Sequence, residues 1–165
     1  MNITIINENK AVRMADFNIA AAPASLSTDG IGSCVVVCLF DTQTRLGGLA
    51  HVMLPRNMGN DKSQTGKCAD TAIVALIQLM SNNGATKSNL VAKIIGGACV
   101  LPSEQPPTIT IGKDNIDAIE RILANQGIPI AARDIGGNTG RCLVFHPATG
   151  VVEVTILAQG RVTRI

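Results

Sequence analysis

The chain has 165 residues, a length typical of one domain whose core needs neither disulfides nor metals to hold it together. Its 14 basic and 12 acidic residues are interspersed and leave a net charge of +2, which is not the basic stripe that nucleic-acid backbones select. The sequence contains three Phe and no Trp or Tyr, so it has no aromatic platform for single-stranded nucleic acid, and we expect no nucleic-acid partner.

Eight apolar runs are too short for helices and are bounded by Gly, Asn or Asp, the pattern typical of β-strands. They are, in chain order, Ile3–Ile6, Cys34–Phe40, Gly47–Leu54, Val91–Ile95, Thr108–Ile111, Ile128–Ala132, Arg141–Phe145 and Val151–Leu157. The run Cys34–Phe40 is apolar at both alternating sets of positions, which predicts a strand covered on both faces.

Two segments have helical spacing of their apolar residues instead. Asp70–Ser81 carries one apolar stripe and ends at Asn82–Gly84, and Asn115–Asn125 carries another, with Asp114 or Asn115 as the predicted N-cap. Since strands outnumber helices and short turns join several of them, the sequence predicts an α+β fold with mostly antiparallel strands.

The five cysteines are an odd number in a chain that does not need disulfides, which favours a reduced, cytoplasmic protein. The first ten residues are polar, unlike a secretory signal, and no apolar run reaches the roughly 18 residues of a membrane span, so we expect no membrane insertion. Cys34 and Cys38 have no second Cys/His pair at metal-site spacing, and we expect neither metal nor cofactor. We expect Cys38 and Cys99 to be core residues and Cys142 to be structural.

One predicted hairpin brings a cysteine near a histidine. If the strands at Cys34–Phe40 and Gly47–Leu54 are joined by a turn near residues 43–44, partner numbers sum to about 87. Cys34 and His51 then lie opposite or diagonal to each other, where a thiol and an imidazole can act as nucleophile and base, the imidazole favouring the thiolate. Spacing alone leaves open the alternative that both residues belong to the core.

The segment before Cys34 is rich in small residues. Gly30, Gly32 and Ser33 allow an unusual bend, which frees backbone N–H groups from strand pairing. Such donors can bind the oxyanion that forms when a thiolate attacks a carbonyl carbon. Gly32 and Ser33 are therefore predicted to support the turn and the oxyanion site.

Several short strings, taken together, resemble the CheD family of chemoreceptor glutamine deamidases. They are Gly32–Val35, Leu49–Pro55, Ala92–Ala98, Ile111–Gly112, Asp134–Gly137, Gly140–Arg141 and Thr149–Val151. They occur in order over residues 28–157 of a predicted single domain, 1–165, in which residues 1–27 match least well.

The resemblance implies a β-sandwich core flanked by helices, the cysteine hydrolase fold of the cytotoxic necrotizing factor toxins. It places the family's catalytic residues on Cys34, His51 and Thr28. It implies the conversion of glutamine side chains of methyl-accepting chemoreceptors to glutamates, with release of ammonia. Its implied partners are the helical cytoplasmic domain of the receptors and the phosphatase CheC.

Two positions depart from the family pattern. Cys68 stands where many members have an aromatic residue, and Asp114 stands where a basic residue precedes the Asn. The second departure puts the affinity for receptor or CheC in question.

Two alternatives remain open at the level of sequence. The protein could act mainly as an adaptor that binds receptor and CheC, with a minor catalytic role, or it could be a hydrolase of the same fold that modifies other protein glutamines. Sequence does not identify the receptors, the target glutamines or the oligomeric state. It also leaves open whether Thr28 would act through its hydroxyl or its backbone carbonyl.

Overall fold

The structure, a computed structural model, describes residues 8–59, 62–100 and 110–165. Ten strands and two helices lie in these ranges, together with two short 3-10 turns, Lys62–Gln64 and Lys87–Asn89. The strands are β1 Lys10–Ala11, β2 Phe17–Ala21, β3 Leu26–Ile31, β4 Val35–Asp41, β5 Leu46–Val52, β6 Leu90–Gly96, β7 Ile130–Ile135, β8 Arg141–His146, β9 Val151–Ile156 and β10 Arg161–Arg164. The helices are α1 Ala69–Asn82 and α2 Ile111–Asn125.

The strands form two five-stranded sheets. The outer sheet has the order β1-β3-β8-β9-β10 and the central sheet the order β2-β5-β4-β6-β7. The central sheet packs against α1 and α2 on one face and against the outer sheet on the other. The molecule is thus a sandwich of two sheets with a layer of helices on one side.

Strand β4 lies in the middle of this arrangement and is buried on both faces. Val35, Val37 and Leu39 pack among residues of the two helices, whereas Val36 and Cys38 pack between the sheets. All five are at most 1% exposed. Because both faces are covered, both alternating sets of positions are apolar, as the sequence predicts.

The α+β class is confirmed, while the prediction of mostly antiparallel strands holds only in part. Strand pair β1–β3 and strand pair β6–β7 are parallel, and the other described pairs are antiparallel. β7 is parallel to β6 because α2 lies in the connection between them and returns the chain to the edge where β6 began.

Helix α2 begins earlier than the sequence pattern indicates. Its N-cap is Thr110, whose hydroxyl donates to the Asp114 carboxylate, so the prediction of Asp114 or Asn115 as N-cap is wrong. The first turn contains Gly112 and two charged residues, which hide the helical period. Ile111 is therefore helical and not part of a strand. Of the other residues of the predicted strand Thr108–Ile111, Thr110 is the N-cap, and residues 108–109 lie outside the described ranges. The predicted strand Ile3–Ile6 also lies outside them.

Candidate active site

The hairpin of β4 and β5 has the predicted register. Val36 pairs with His51 and Val35 with Val52, so that partner numbers sum to 87. The turn is held by the buried Asp41 carboxylate, which accepts hydrogen bonds from the N–H groups of Gln43 and Thr44 at 2.8 and 2.9 Å. Burial raises the pKa of Asp41, but these backbone donors, together with the N–H of Thr86, outweigh it and bring the pKa below its ordinary value.

Cys34 and His51 are neighbours by this register. Cys34 lies in the bend just before β4, two residues before Val36, the partner of His51, so the alternation of β4 carried back by one residue assigns Cys34 to the same face as His51. Cys34 is 8% exposed and His51 is completely buried. The ring therefore lies between the two sheets, and the thiol lies closer to solvent at the end of β4.

Thr28 contacts the imidazole from the other sheet. Its hydroxyl oxygen lies 2.8 Å from Nδ1 of His51, and Thr28 itself is 5% exposed. The sequence leaves open whether Thr28 contacts His51 through its hydroxyl or its backbone carbonyl, and in the structure the contact is made by the hydroxyl. After Thr28 the pairing of β3 with β8 is interrupted by a bulge that contains Gly30, with φ of 63°, and the chain then crosses to β4.

Burial sets the protonation of the pair. It lowers the pKa of His51, against the opposing charge of Asp29, and it raises the pKa of the Cys34 thiol, against the opposing backbone N–H of Cys34 itself. A neutral thiol beside a neutral imidazole is therefore the resting form near pH 7. Pairing with an imidazole would favour a thiolate in the resting protein, and burial opposes this effect.

The second ring nitrogen of His51, Nε2, also fits a neutral imidazole. Nε2 is buried and has no hydrogen-bond partner among the described residues. When Nδ1 carries the proton and donates it to Thr28, Nε2 presents an unshared electron pair. His51 is then poised to accept a proton from a neighbouring group.

The turn before Cys34 is held by its carbonyl groups. The Gly32 carbonyl accepts from the N–H of Ala98 at 2.9 Å, and the Cys34 carbonyl accepts from the N–H of Gly97 at 2.8 Å. In the part of the chain that the structure describes, the N–H groups of Ser33 and Cys34 have no backbone carbonyl as partner. That these N–H groups bind an oxyanion, as the sequence analysis expects of this turn, stays a prediction.

Gly96 and Gly97 make this close approach possible. Gly96 has φ of 118°, and a Cβ atom there would lie 2.3 Å from the carbonyl oxygen of Cys34. Neither glycine is among the site residues predicted from the sequence. The Gly-Gly pair directly after the apolar run at 91–95 is the signal that points to a sharp departure from the strand.

A cavity of about 530 Å³ adjoins the turn on the side away from β5. Its walls come from the segment after β6, the first turn of α2 and the loop after β7, and most of them are apolar or glycine backbone. The lining residues are Ser33, Gly97, Ala98, Cys99, Val100, Thr110, Ile111, Gly112, Lys113, Gly136 and Gly137. The cavity places an open volume next to the residue that precedes Cys34.

The other cysteines and the second histidine lie elsewhere. Cys38 is buried between the sheets, which raises its pKa strongly, while Cys142 is half-buried on β8. Cys99 is exposed at the cavity wall, so the expectation that it is a core residue is wrong. His146 lies at the end of β8 with Nε2 3.6 Å from the Glu153 carboxylate.

The register of β4 and β5 and the contact of Thr28 with His51 bring these two residues and the bend that carries Cys34 to one end of the sandwich. The chain belongs to the CheD family: the model described as "CheD chemotactic sensory transduction" matches residues 53–156. No helix among the described residues is long and apolar enough to span a membrane.

Relatives named "Probable chemoreceptor glutamine deamidase CheD" match nearly the whole chain. The protein from Clostridium novyi is 39% identical over 151 residues, which is 90% of this chain and 93% of the relative. Those from Syntrophomonas wolfei and Methanococcus maripaludis are each 40% identical, over 90% and 87% of this chain and 94% and 92% of their own. Among solved structures, the Bacillus licheniformis hypothetical protein YfiH aligns with a TM-score of 0.44 and 12% identity. The alignment covers 83% of this chain and 61% of that protein, and the similarity is too distant to bear on function.

Proposed function

We propose that this protein is a chemoreceptor glutamine deamidase, which hydrolyses the side-chain amide of selected receptor glutamines to glutamate and releases ammonia. The observation that carries the chemistry is the buried His51, whose Nδ1 contacts the Thr28 hydroxyl while Nε2 has no hydrogen-bond partner among the described residues. The names of the relatives support the choice of receptor glutamines as substrate.

In the first half of the reaction, Nε2 of His51 takes the proton of the Cys34 thiol as the sulfur bonds to the amide carbon of the glutamine. The π electrons of that carbonyl move to its oxygen, and the N–H groups of Ser33 and Cys34 bind the resulting oxyanion. Because both reacting groups start neutral, the proton has to pass from the sulfur to Nε2 in the course of this half of the reaction.

In the second half, the C–N bond breaks and ammonia leaves with the proton held by His51, so that a thioester on Cys34 remains. His51 then removes a proton from water as the water oxygen attacks the thioester carbon. The C–S bond breaks, and His51 returns the proton to the sulfur of Cys34. The products are glutamate and the restored thiol. One water is consumed for each ammonia released, with no change of oxidation state.

Thr28 keeps the imidazole in the form that this sequence of steps requires. Its hydroxyl oxygen accepts the Nδ1 proton at 2.8 Å, which leaves the electron pair on Nε2. It also fixes the plane of the ring and stabilises the imidazolium that forms in each half of the reaction.

The same proposal includes the setting of the enzyme. We assign residues 1–165 to one domain with the cysteine hydrolase fold of the cytotoxic necrotizing factor toxins, working in the cytoplasm on the helical domain of the receptors. CheC is the proposed regulatory partner. The family membership of the chain supports these assignments.

The test is mass spectrometry of a receptor cytoplasmic fragment incubated with the protein. We expect specific glutamines to gain the mass of a glutamate with wild-type protein, and no conversion with Cys34→Ala or His51→Ala. Cys142→Ala and His146→Ala make the same chemical changes outside the site and should keep full activity. Binding of the fragment without conversion would contradict the proposal and favour an adaptor.

A further inference from the structure

Asn115 is a fully buried polar residue on α2 that the reaction described above does not use. It is 0% exposed, and both hydrogens of its amide are donated to backbone carbonyls. Its oxygen is also buried and has no partner in the described ranges. The side chain therefore acts purely as a double donor, at a position where most helices would bury an apolar residue.

The two carbonyls that Asn115 holds belong to the two halves of the site. One is the carbonyl of Ser33 at 3.1 Å, directly before Cys34, and the other is the carbonyl of Met53 at 2.9 Å, two residues after His51. One amide group thus ties the end of β5 to the turn that carries the thiol.

The bond to Ser33 also fixes the neighbouring N–H. In a trans peptide the carbonyl oxygen and the N–H point in opposite directions from one rigid plane. The carbonyl of Ser33 and the N–H of Cys34 share such a plane, so Asn115, by holding the oxygen on one side, directs the N–H to the other. The same N–H counteracts the effect of burial on the pKa of the Cys34 thiol.

The position of Asn115 is itself fixed by backbone contact. A Cβ atom on Gly112, in the first turn of α2, would lie 2.5 Å from the carbonyl oxygen of Gly97. Gly97 in turn donates its N–H to the carbonyl of Cys34 at 2.8 Å. The start of α2, the segment after β6 and the thiol-bearing turn therefore form one closed network.

We propose that Asn115 is a positioning residue that aims the Cys34 N–H at the developing oxyanion and holds the thiol-bearing turn in place against the histidine strand. Its hydrogen bond also polarises the Ser33–Cys34 peptide and makes that N–H a better donor. The role in turnover rests on the proposed deamidase function, whereas the effect on the thiol does not.

The test compares Asn115→Ala and Asn115→Leu with wild-type protein. Leucine has the branched skeleton of asparagine without its donors, so it fills the space and removes only the hydrogen bonds. We expect kcat for deamidation to fall by about 10-fold to 100-fold, less than the full loss of an oxyanion donor, with KM changed by less than about threefold.

A second readout does not depend on the receptor. The rate at which iodoacetamide alkylates Cys34, followed by peptide mass spectrometry across pH, should shift to higher pH in both variants. A shift of one pH unit lowers the rate about tenfold at a given pH below the thiol pKa. Leu123→Ala, a core truncation on the same helix, should lower Tm without this shift, and the exposed Asn125→Ala should change neither.

The outcomes separate the two proposals. A shifted alkylation profile in a protein that deamidates no receptor fragment would refute the proposed function and retain the role of Asn115. Wild-type kcat and a wild-type alkylation profile in Asn115→Leu, even with a lower Tm, would overturn the positioning role and leave Asn115 as a structural residue.

Discussion

Replacing Thr28 by valine removes one hydroxyl and keeps the shape of the side chain. Thr28 and His51 are both buried, at 5% and 0% exposure, so no water can replace the lost partner of Nδ1. Leaving a buried donor without a partner costs about 1–3 kcal/mol. The form of His51 that presents its electron pair at Nε2 loses that stabilisation.

We therefore expect kcat of Thr28→Val to fall by about 5-fold to 150-fold, which is the same 1–3 kcal/mol expressed as a rate. KM should stay near the wild-type value, because the hydroxyl contacts Nδ1 and not Nε2, the nitrogen proposed to exchange the proton. The assay is the initial rate of ammonia release from a receptor fragment at several fragment concentrations.

Thr28→Ser is the matched control, since it keeps the hydroxyl and removes only a methyl group. It should retain most of the activity that valine removes. Wild-type kcat in Thr28→Val, or an equal loss in both variants, would refute the reasoning, because the contact at 2.8 Å would then have no bearing on the state of His51.

Two further predictions follow from burial and from backbone geometry. Burial moves the pKa of His51 below its ordinary 6.5 and that of Cys34 above its ordinary 9.0. The pH profile of kcat/KM should therefore be flat between these two values. An acid limb centred above pH 6.5 would contradict this prediction. Gly96→Ala should reduce both kcat and Tm, since its Cβ would lie 2.3 Å from the carbonyl oxygen of Cys34. Gly84 has φ of 100° and open space around it, so Gly84→Ala is the control and should keep its activity. Equal activity losses in the two variants would show that backbone strain alone is responsible.

The pKa of His51 also predicts how stability depends on pH. The unfolded chain takes up a proton at about the ordinary pKa, 6.5, while the folded protein takes it up only at lower pH. The free energy of unfolding should therefore fall as the pH drops below 6.5, because the unfolded state then binds more protons. Urea titrations of wild-type protein and His51→Gln between pH 5 and 8 measure this dependence, which the variant should lack.

The hairpin is the part of the site that sequence predicts best. Two apolar strands and a short turn determine the register, so the neighbourhood of Cys34 and His51 follows from local spacing alone. Thr28 is different, because β3 contains Asp29 and Gly30 and a bulge, and no apolar run marks it as a strand. Only the family resemblance pointed to Thr28 as part of the site.

Asn115 shows why the rest of the site is out of reach of sequence patterns. Its two carbonyl partners lie 82 and 62 residues away in the chain, and its position in a helix gives no sign of them. The sequence pattern suggested a cap because Asn is common there, but the helix begins about one turn earlier, where Gly112 lies close to the backbone of Gly97. Long-range backbone contacts of this kind become visible only in the folded chain.

The most direct test of the central claim is to trap the thioester. Wild-type protein mixed with a receptor peptide that contains a target glutamine, and quenched in acid within milliseconds to seconds, should carry an adduct of the peptide minus ammonia. Peptide mapping should place the adduct on Cys34, and Cys34→Ala should show none. Deamidation that proceeds in Cys34→Ala, or an adduct on Cys99 instead, would contradict the assignment of Cys34 as the nucleophile.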